Sequence, residues 1–407
     1  MSTTGQDFVV IGENIHATRV LLQKSERIAA NEHGEEGIVF TDEDGASRHL
    51  RIPEEEKHSQ AYLEGRIKHV RLAVQIAMAG AEPEGSTARS YLRTLAQRQV
   101  KAGAHFLDIN VDEISTKLDD QLDAMRWLVA ELAPLVDIPL SIDSSNLEII
   151  TAGVTEAAEA SPSRVGPPML NSASLERIEA LDVAAQLNGP VVVTAAGESG
   201  MPTGAEERVL NASRMVEASL KAGIPSDQIF VDPLVFPIAV DSEYGRHCLD
   251  AIAELRRRFG TEIHITGGMS NVSFGLPNRR LLNDAFLILA IEAGADSGIV
   301  DPIVVNVQRA LAADRTTRPF QLAFDVFTGA DENCRAYMKA YRAGELTGFR
   351  SGVGSATVRQ ESARTSGHAV ERRGIGLNHG GRCALLYSGR WRPWSSSRMT
   401  RRRGPPR

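Results

Sequence analysis

The sequence is poor in the features that mark several protein classes. It has three cysteines in 407 residues, Cys248, Cys334 and Cys383, far apart and without a CxxC pair. That spacing excludes a disulfide framework and a cysteine zinc site, and makes a reducing cytosol the expected compartment. No basic stretch followed by an apolar one stands at the start, MSTTGQDFVVIGEN, so no signal peptide is predicted. No apolar run approaches the roughly 18 residues a membrane span needs, so no membrane association is expected. Basic residues are not in surplus: the formal charge is −7, which argues against a nucleic-acid partner. That total hides a split. From Leu346 onward there are 13 Arg, no Lys and two acids, a net of +11, leaving −18 on residues 1–345.

From Ser86 to about Arg315, short apolar runs alternate with amphipathic stretches. The runs are FVVIG (8–12), HFLDINV (105–111), PLSID (139–143), PMLN (168–171), PVVVTAA (190–196), IFVDPLV (229–235), EIHITGG (262–268) and SGIVD (297–301). Each is apolar nearly throughout, as strands buried on both faces of a parallel sheet are. Between them the pattern predicts helices over Thr87–Ala102, Asp119–Leu135, Leu147–Ala158, Leu175–Asn188, Ala205–Ala222, Glu243–Phe259 and Asn278–Ala293. Eight strands alternating with helices predict a (β/α)₈ TIM barrel; an open doubly wound sheet is the alternative, but no glycine-rich phosphate fingerprint follows the first strand.

Residues 19–85 read as an insertion after strand 1. GIVFTDEDGASRHLRI (37–52) has the form of a hairpin with Asp44-Gly45 at its tip, and Pro53 with three glutamates predicts a helix running to about Ala79. Its expected place is over one mouth of the barrel. Ala323–Gly344 reads as one or two closing helices. Residues 1–345 are therefore expected to form one barrel domain. The remainder, 346–407, is rich in Arg, Gly and Ser and is expected to be a disordered tail or a frame-shifted one.

Polar residues at the carboxyl ends of barrel strands point into the active site. Here those ends carry Glu13-Asn14, Asp108-Ile109-Asn110, Asp143-Ser144-Ser145-Asn146, Asn171-Ser172, Asp232-Pro233, Gly267-Gly268-Met269-Ser270-Asn271 and Asp301-Pro302. Carboxylates offer two acceptors and carboxamides a donor beside an acceptor, a set that suits a neutral heterocycle such as a pterin and not a phosphate. Any one of these residues could instead cap a helix or start a turn, as Asn146, Asn171, Asp232 and Asp301 each could. Asp108, Asp143, Asp232 and Asp301 could also supply hard oxygen ligands to a metal, but the neighbouring amides favour the pterin reading and no metal is expected. His16 and His264 read as buried, satisfied histidines.

The segments IGENIH, DINV, SIDSSN, LNSAS, VDPLVFPI and GGMSNVSFGLPNRRLLNDAFL resemble the pterin-binding family of barrel methyltransferases. These are the methyltetrahydrofolate:corrinoid protein methyltransferases and the folate domain of cobalamin-dependent methionine synthase, similar in fold to dihydropteroate synthase. The resemblance covers about residues 7–320. It implies methyl transfer between N5 of tetrahydrofolate and the cobalt of a corrinoid on a separate protein, since the Asp-x-His-x-x-Gly cobalamin signature is absent. By the same resemblance, Asn271 sits near N5 and Asp143, Asn146 and Asp232 hold the pterin. Asp108 and Asn110 support them, Glu13, Asn171 and Ser270 complete the folate site, and Asp232 joins Asn271 as a catalytic residue. A homodimer is implied too. A non-catalytic folate-binding protein is the alternative of a different class. Dihydropteroate synthase is less well matched, because its last two strands need a Lys and a Ser-x-Arg pattern that this chain lacks. The chain also departs from the family at strand 1, where Asn14 and then His16 follow Gly-Glu in place of the more usual basic residue.

Overall fold

The computed structural model describes residues 8–346. Cys383 and the predicted tail, from residue 347, lie outside the described residues.

Eight parallel strands form one sheet: β1 (Val9–His16), β2 (Phe106–Asn110), β3 (Leu140–Asp143), β4 (Met169–Ala173), β5 (Val191–Thr194), β6 (Ile229–Asp232), β7 (His264–Ile265) and β8 (Ser297–Val300). The hydrogen-bonded order runs β7-β6-β5-β4-β3-β2-β1-β8. A parallel bridge between Gly268 and Ile299 closes the ring, with Ile299 N–H donating to the Gly267 carbonyl at 2.9 Å. The predicted TIM barrel is therefore the observed fold, and the open sheet is not.

Helices α1 (Glu84–Lys101), α2 (Leu118–Leu132), α3 (Leu147–Ala160), α4 (Ala180–Leu187), α5 (Ala205–Lys221), α6 (Tyr244–Phe259), α7 (Arg279–Ala293) and α8 (Arg318–Thr328) follow the strands in turn. Most begin within three residues of the sequence expectation. The exceptions are α4, which starts at Ala180 and not Leu175 because Ser174–Arg177 turns back on itself in an antiparallel bridge, and α8, which starts at Arg318 and not Ala323. After α8, a last helix over Arg335–Arg342 completes the expected closing pair.

The barrel interior is plugged. Ile11, Met169, Val192 and Phe230 form a buried apolar cluster of their own, with Val9, Phe106 and Ile299 packed against it. Alternate residues of a strand face the same way. Phe106 is therefore followed on the inner face by Asp108 and Asn110, Met169 by Asn171, and Phe230 by Asp232. Period two lifts the polar residues one layer above the plug, where they are buried on the mouth side of the apolar layer.

The insertion departs from expectation in one respect. The hairpin forms from Glu36–Thr41 and Ser47–Arg51, joined by a third strand, Ile28–Ala30. Its alternate residues Ile38 and Phe40 are buried, and the Phe40 ring meets Tyr91 of α1 edge-on at 5.0 Å. Burying such a ring is worth about 1.5–3 kcal/mol. The predicted helix over 53–79, however, is broken into Glu54–Lys57, Gln60–Leu63 and His69–Ala79. Ser59 restarts the chain by accepting the Tyr62 N–H on its Oγ, and Gly65, at φ +77°, turns it into a short strand, Arg66–Ile67, that pairs with Leu21–Leu22. Lys68 then donates to Glu113 at 2.6 Å and Gln75 to the Ile114 carbonyl at 3.0 Å, tying the insertion to the loop that follows β2.

Candidate active site at the barrel mouth

Two strands carry an extra residue at the mouth. In the pairing of β1 with β2, Gly12 and Ile15 face Leu107 and Ile109, so three steps on one strand meet two on the other. In the pairing of β4 with β5, Asn171 and Ala173 face the adjacent Val192 and Val193. Bulges of this kind re-aim side chains. Here they lie at Glu13-Asn14 and at Asn171-Ser172.

Around β1 to β4 the side chains are hydrogen-bonded to one another. Asp108, fully buried, accepts from His16 Nε2 at 2.8 Å, from Asn171 Nδ2 at 3.2 Å and from Ser141 Oγ. Asn110 Nδ2 donates to Asp143 at 2.9 Å, while its own carbonyl accepts the Asp112 N–H at 3.0 Å. Asp112 in turn accepts from Ser144 Oγ and from the Ser145 N–H, fixing the loop after β3. On the β1–β8 side, Asn14 Nδ2 and Arg19 both donate to Asp301, at 2.7 and 2.8 Å, and Ser270 Oγ donates to Glu13 at 3.2 Å.

Electrostatics follow from this crowding. Burial pushes Asp143 up to about 7, and the Asp108 charge adds to it. Burial also raises Glu13, against the opposing pull of Arg19 and His16. For His16, burial favours the neutral ring, but the hydrogen bond to Asp108 and the charges of Asp108, Asp143 and Glu13 outweigh it, so its pKa is raised.

The β6–β7 side is sparser. Asp232 is buried and accepts the Leu234 N–H at 2.7 Å; burial pushes it up to about 6, against that bond and the Arg208 charge. Beside it, Gly267 and Gly268 leave no room for a side chain. A Cβ on Gly267 would come within 3.1 Å of Asp232 Oδ1, and one on Gly268 within 2.6 Å of Asn271 Nδ2. The paired glycines thus let Asp232 and the Asn271 amide pack against the backbone of the same loop. Asn271 follows in a short 3₁₀ turn, Met269–Ser273, and its side chain has no hydrogen-bond partner among the described residues.

The structure therefore places Glu13, Asp108, Asn110, Asp143, Asn171, Asp232, Ser270 and Asn271 at the strand ends or in the loops just beyond them. Asn146 also stands there, but its carbonyl is committed to capping α3 by accepting the Glu148 N–H at 2.8 Å, which leaves only its NH₂ for a ligand. His16, Arg19 and Arg177 are additions. Arg177 donates to the carbonyls of Ser144 and Ser172 at 3.2 Å each, lacing the loops after β3 and β4 together. The mouth thus holds more cationic groups than the strand-end residues alone suggest, and His16 is satisfied by a site carboxylate rather than by the core. A strand-end position was legible for His16, but its pairing depends on the bulge, which alternation in sequence does not reveal.

A metal would find His16, Asp108 and Asp143 with ligand-capable atoms all within 4.8 Å of one another. Asp232 and Asp301 are outside that group. The lone pairs of Asp108 already serve His16, Asn171 and Ser141, so the donor set is that of a hydrogen-bonded network and fits a metal poorly.

The chain is similar to several known proteins. Methylcorrinoid:tetrahydrofolate methyltransferase from Eubacterium limosum is 29% identical over 263 residues, covering 63% of this chain and 89% of its own length. Methionine synthase from Mycobacterium leprae (strain TN) is 30% identical over 234 residues, which are 53% of this chain and 18% of that relative. Among solved structures, dihydropteroate synthase from Xanthomonas albilineans in complex with 7,8-dihydropteroate is 19% identical, with a TM-score of 0.42, over 62% of this chain and 89% of that one. The family described as "Pterin binding enzyme" matches residues 86–301, more than half of the 407, from the helix before β2 through the end of β8. On that match the chain belongs to the pterin binding enzyme family.

Proposed function

We propose that the protein moves a methyl group between N5 of tetrahydrofolate and the cobalt of a corrinoid held by a separate protein. The observation that carries this reading is the Asn271 amide, unpartnered at the mouth beside the buried Asp232. The chemical difficulty of the reaction is the leaving nitrogen, which cannot depart as an amide-like anion and must gain a proton or a strong hydrogen bond in the transition state. A partly exposed amide that no other described residue engages is available for that task.

In this reading, Asp143 and Asp232 accept from the N–H and NH₂ groups of the pterin ring, and the NH₂ of Asn146 donates to its acceptors. Asp108, Asn110 and Asn171 hold Asp143 and one another in place, while Glu13 and Ser270 shape the wall between β1 and β7. Asn271 donates to N5, and that bond strengthens as electron density collects on the nitrogen. A hydrogen bond to a developing charge contributes roughly 1.5–3 kcal/mol. The corrinoid supplies the cobalt centre that gives or receives the methyl group.

The apolar residues of the mouth support a protein partner. Ile178, Met201, Val240, Phe274, Ile303 and Val304 lie in five of the loops that follow strands, and each is 40–52% exposed. In this reading they are where the corrinoid-bearing protein docks. The similarity to the Eubacterium limosum enzyme, over most of that protein's length, supports the corrinoid as what the partner carries.

Calorimetry with methyltetrahydrofolate, followed by anaerobic mixing with cob(I)alamin under a visible spectrometer, tests the proposal. Binding together with protein-dependent formation of methylcobalamin is expected. Binding with no spectral change favours a folate-binding protein without turnover.

A further inference from the structure

Asp108 and Asp143 lie at the mouth ends of neighbouring strands, two residues out of register, with Asn110 paired to Asp143 and Asp108 to Ser141, and their carboxylates come within 4.8 Å of each other. Two carboxylates this close, over an apolar plug, cannot both ionise without a compensating charge. Their surroundings differ. Asp108 has three protein donors: His16, Asn171 and Ser141. Asp143 has one donor among the described residues, Asn110 at 2.9 Å, so it is the carboxylate with lone pairs left for a ligand.

His16 is the cationic group of this cluster. Its Nε2 lies 2.8 Å from Asp108, and its side chain is only 15% exposed. The charged groups around it are Glu13 on its own strand, Asp108 on β2 and Asp143 on β3. Arg19, in the loop beyond, is paired to Glu13 and Asp301, and Asp112 acts on Asp143 from the loop after β2. All of those acting directly on His16 are acids.

We propose that His16 is a positioning residue for the pterin: its protonated imidazole neutralises Asp108, so that Asp143 can meet the ring as an ionised edge of two acceptors. The inference rests on the folate reading above. An ionised carboxylate accepts from the ring N–H and the exocyclic NH₂ together, whereas the neutral acid turns an O–H against one of those donors. The balance of forces on Asp143 fits the role. Burial and then Asp108 push it up to about 7, and His16 pulls it down.

The test is the pH profile of methyltetrahydrofolate affinity, measured by calorimetry on the intact protein from about pH 6 to about pH 9. In the wild type, affinity rises with pH as Asp143 ionises. His16→Gln moves that midpoint upward by about one unit, giving roughly fivefold weaker binding near pH 7 that recovers near pH 9. In an Asp108→Asn background His16→Gln no longer moves the midpoint, because the charge that His16 offsets is gone, a coupling that a packing defect would not produce. A pH-independent loss in His16→Gln, or an undiminished upward shift by His16→Gln in the Asp108→Asn background, overturns the proposal. An NMR titration of the His16 ring in the ligand-free protein separates this failure from that of the folate reading. A raised His16 pKa that falls in Asp108→Asn supports the pair even if the wild type binds no folate, in which case the functional reading is what falls. A His16 that titrates at or below the ordinary imidazole value overturns the pairing itself.

Discussion

The two sides of the barrel mouth are built differently. From β1 to β4, Asp108 accepts from His16, Ser141 and Asn171, Asn110 donates to Asp143, and Arg177 laces the loops above them. On the β6–β7 side, among the described residues, Asp232 has one backbone donor and the Asn271 amide has no partner. Hydrogen bonds already made fix geometry before a ligand arrives, which suits recognition of a rigid ring. An unsaturated amide is free to form its strongest bond only when charge develops, which suits the reacting atom. In the proposed function the β1–β4 side and Asp232 hold the ring, and the Asn271 amide serves the reacting atom.

The sharpest way to break this contrast is Asn271→Ala. Turnover should fall by about 10- to 100-fold while methyltetrahydrofolate affinity changes by less than about threefold, as expected for a hydrogen bond that strengthens in the transition state. Parallel losses in kcat and in the calorimetric Kd would merge the two sides. On the network side, Asn171→Ala removes a donor to Asp108. It should weaken folate binding by about 3- to 10-fold and leave the turnover of bound folate nearly unchanged; a fall mainly in kcat would contradict the division.

Asp232→Asn addresses the cost of the site. A carboxyl whose native pKa lies above its unfolded value binds its proton more tightly when folded. Its stabilising contribution is therefore complete below the ordinary aspartate value and is lost as pH rises through about 6. At neutral pH the ionised, buried Asp232 thus works against the fold. The amide should raise stability by about 1–2 kcal/mol near pH 7.5, read as a Tm higher by a few degrees, while weakening folate binding. A lower Tm would mean that Asp232 holds the structure together instead of serving a ligand. The smallest effect is expected from Lys68→Ala. That residue's half-exposed ion pair with Glu113 ties the insertion to the loop after β2, and its loss should cost less than about 1 kcal/mol in denaturant unfolding.

Much of this arrangement was legible in the sequence. Runs such as IFVD and HFLDIN name both the strand and the inward residue at its end, because alternation and an apolar plug leave Asp232, Asp108 and Asn110 nowhere else to point. The Gly-Gly of the strand-7 loop was legible only as part of a motif, and the structure gives its reason in the close approach of Asp232 and Asn271. What could not be read depends on departures from regular periodicity. The extra residue in β1 re-aims Glu13 and Asn14 and brings His16 to Asp108, yet a bulge leaves the hydrophobic pattern of GENIH unchanged. The break in the 53–79 helix turns on one serine cap and one glycine inside an otherwise helical stretch. Arg177 reached the mouth through a turn that the pattern assigned to helix α4.

The central claim is methyl transfer between folate and cobalt, and it is tested most directly by incubating the protein anaerobically with cob(I)alamin and tetrahydrofolate carrying a ¹³C-labelled N5-methyl group. The account predicts that the methyl resonance moves from nitrogen to cobalt only when the protein is present, and far more slowly with Asn271→Ala. A methyl group that stays on N5 while calorimetry shows the folate bound would contradict it.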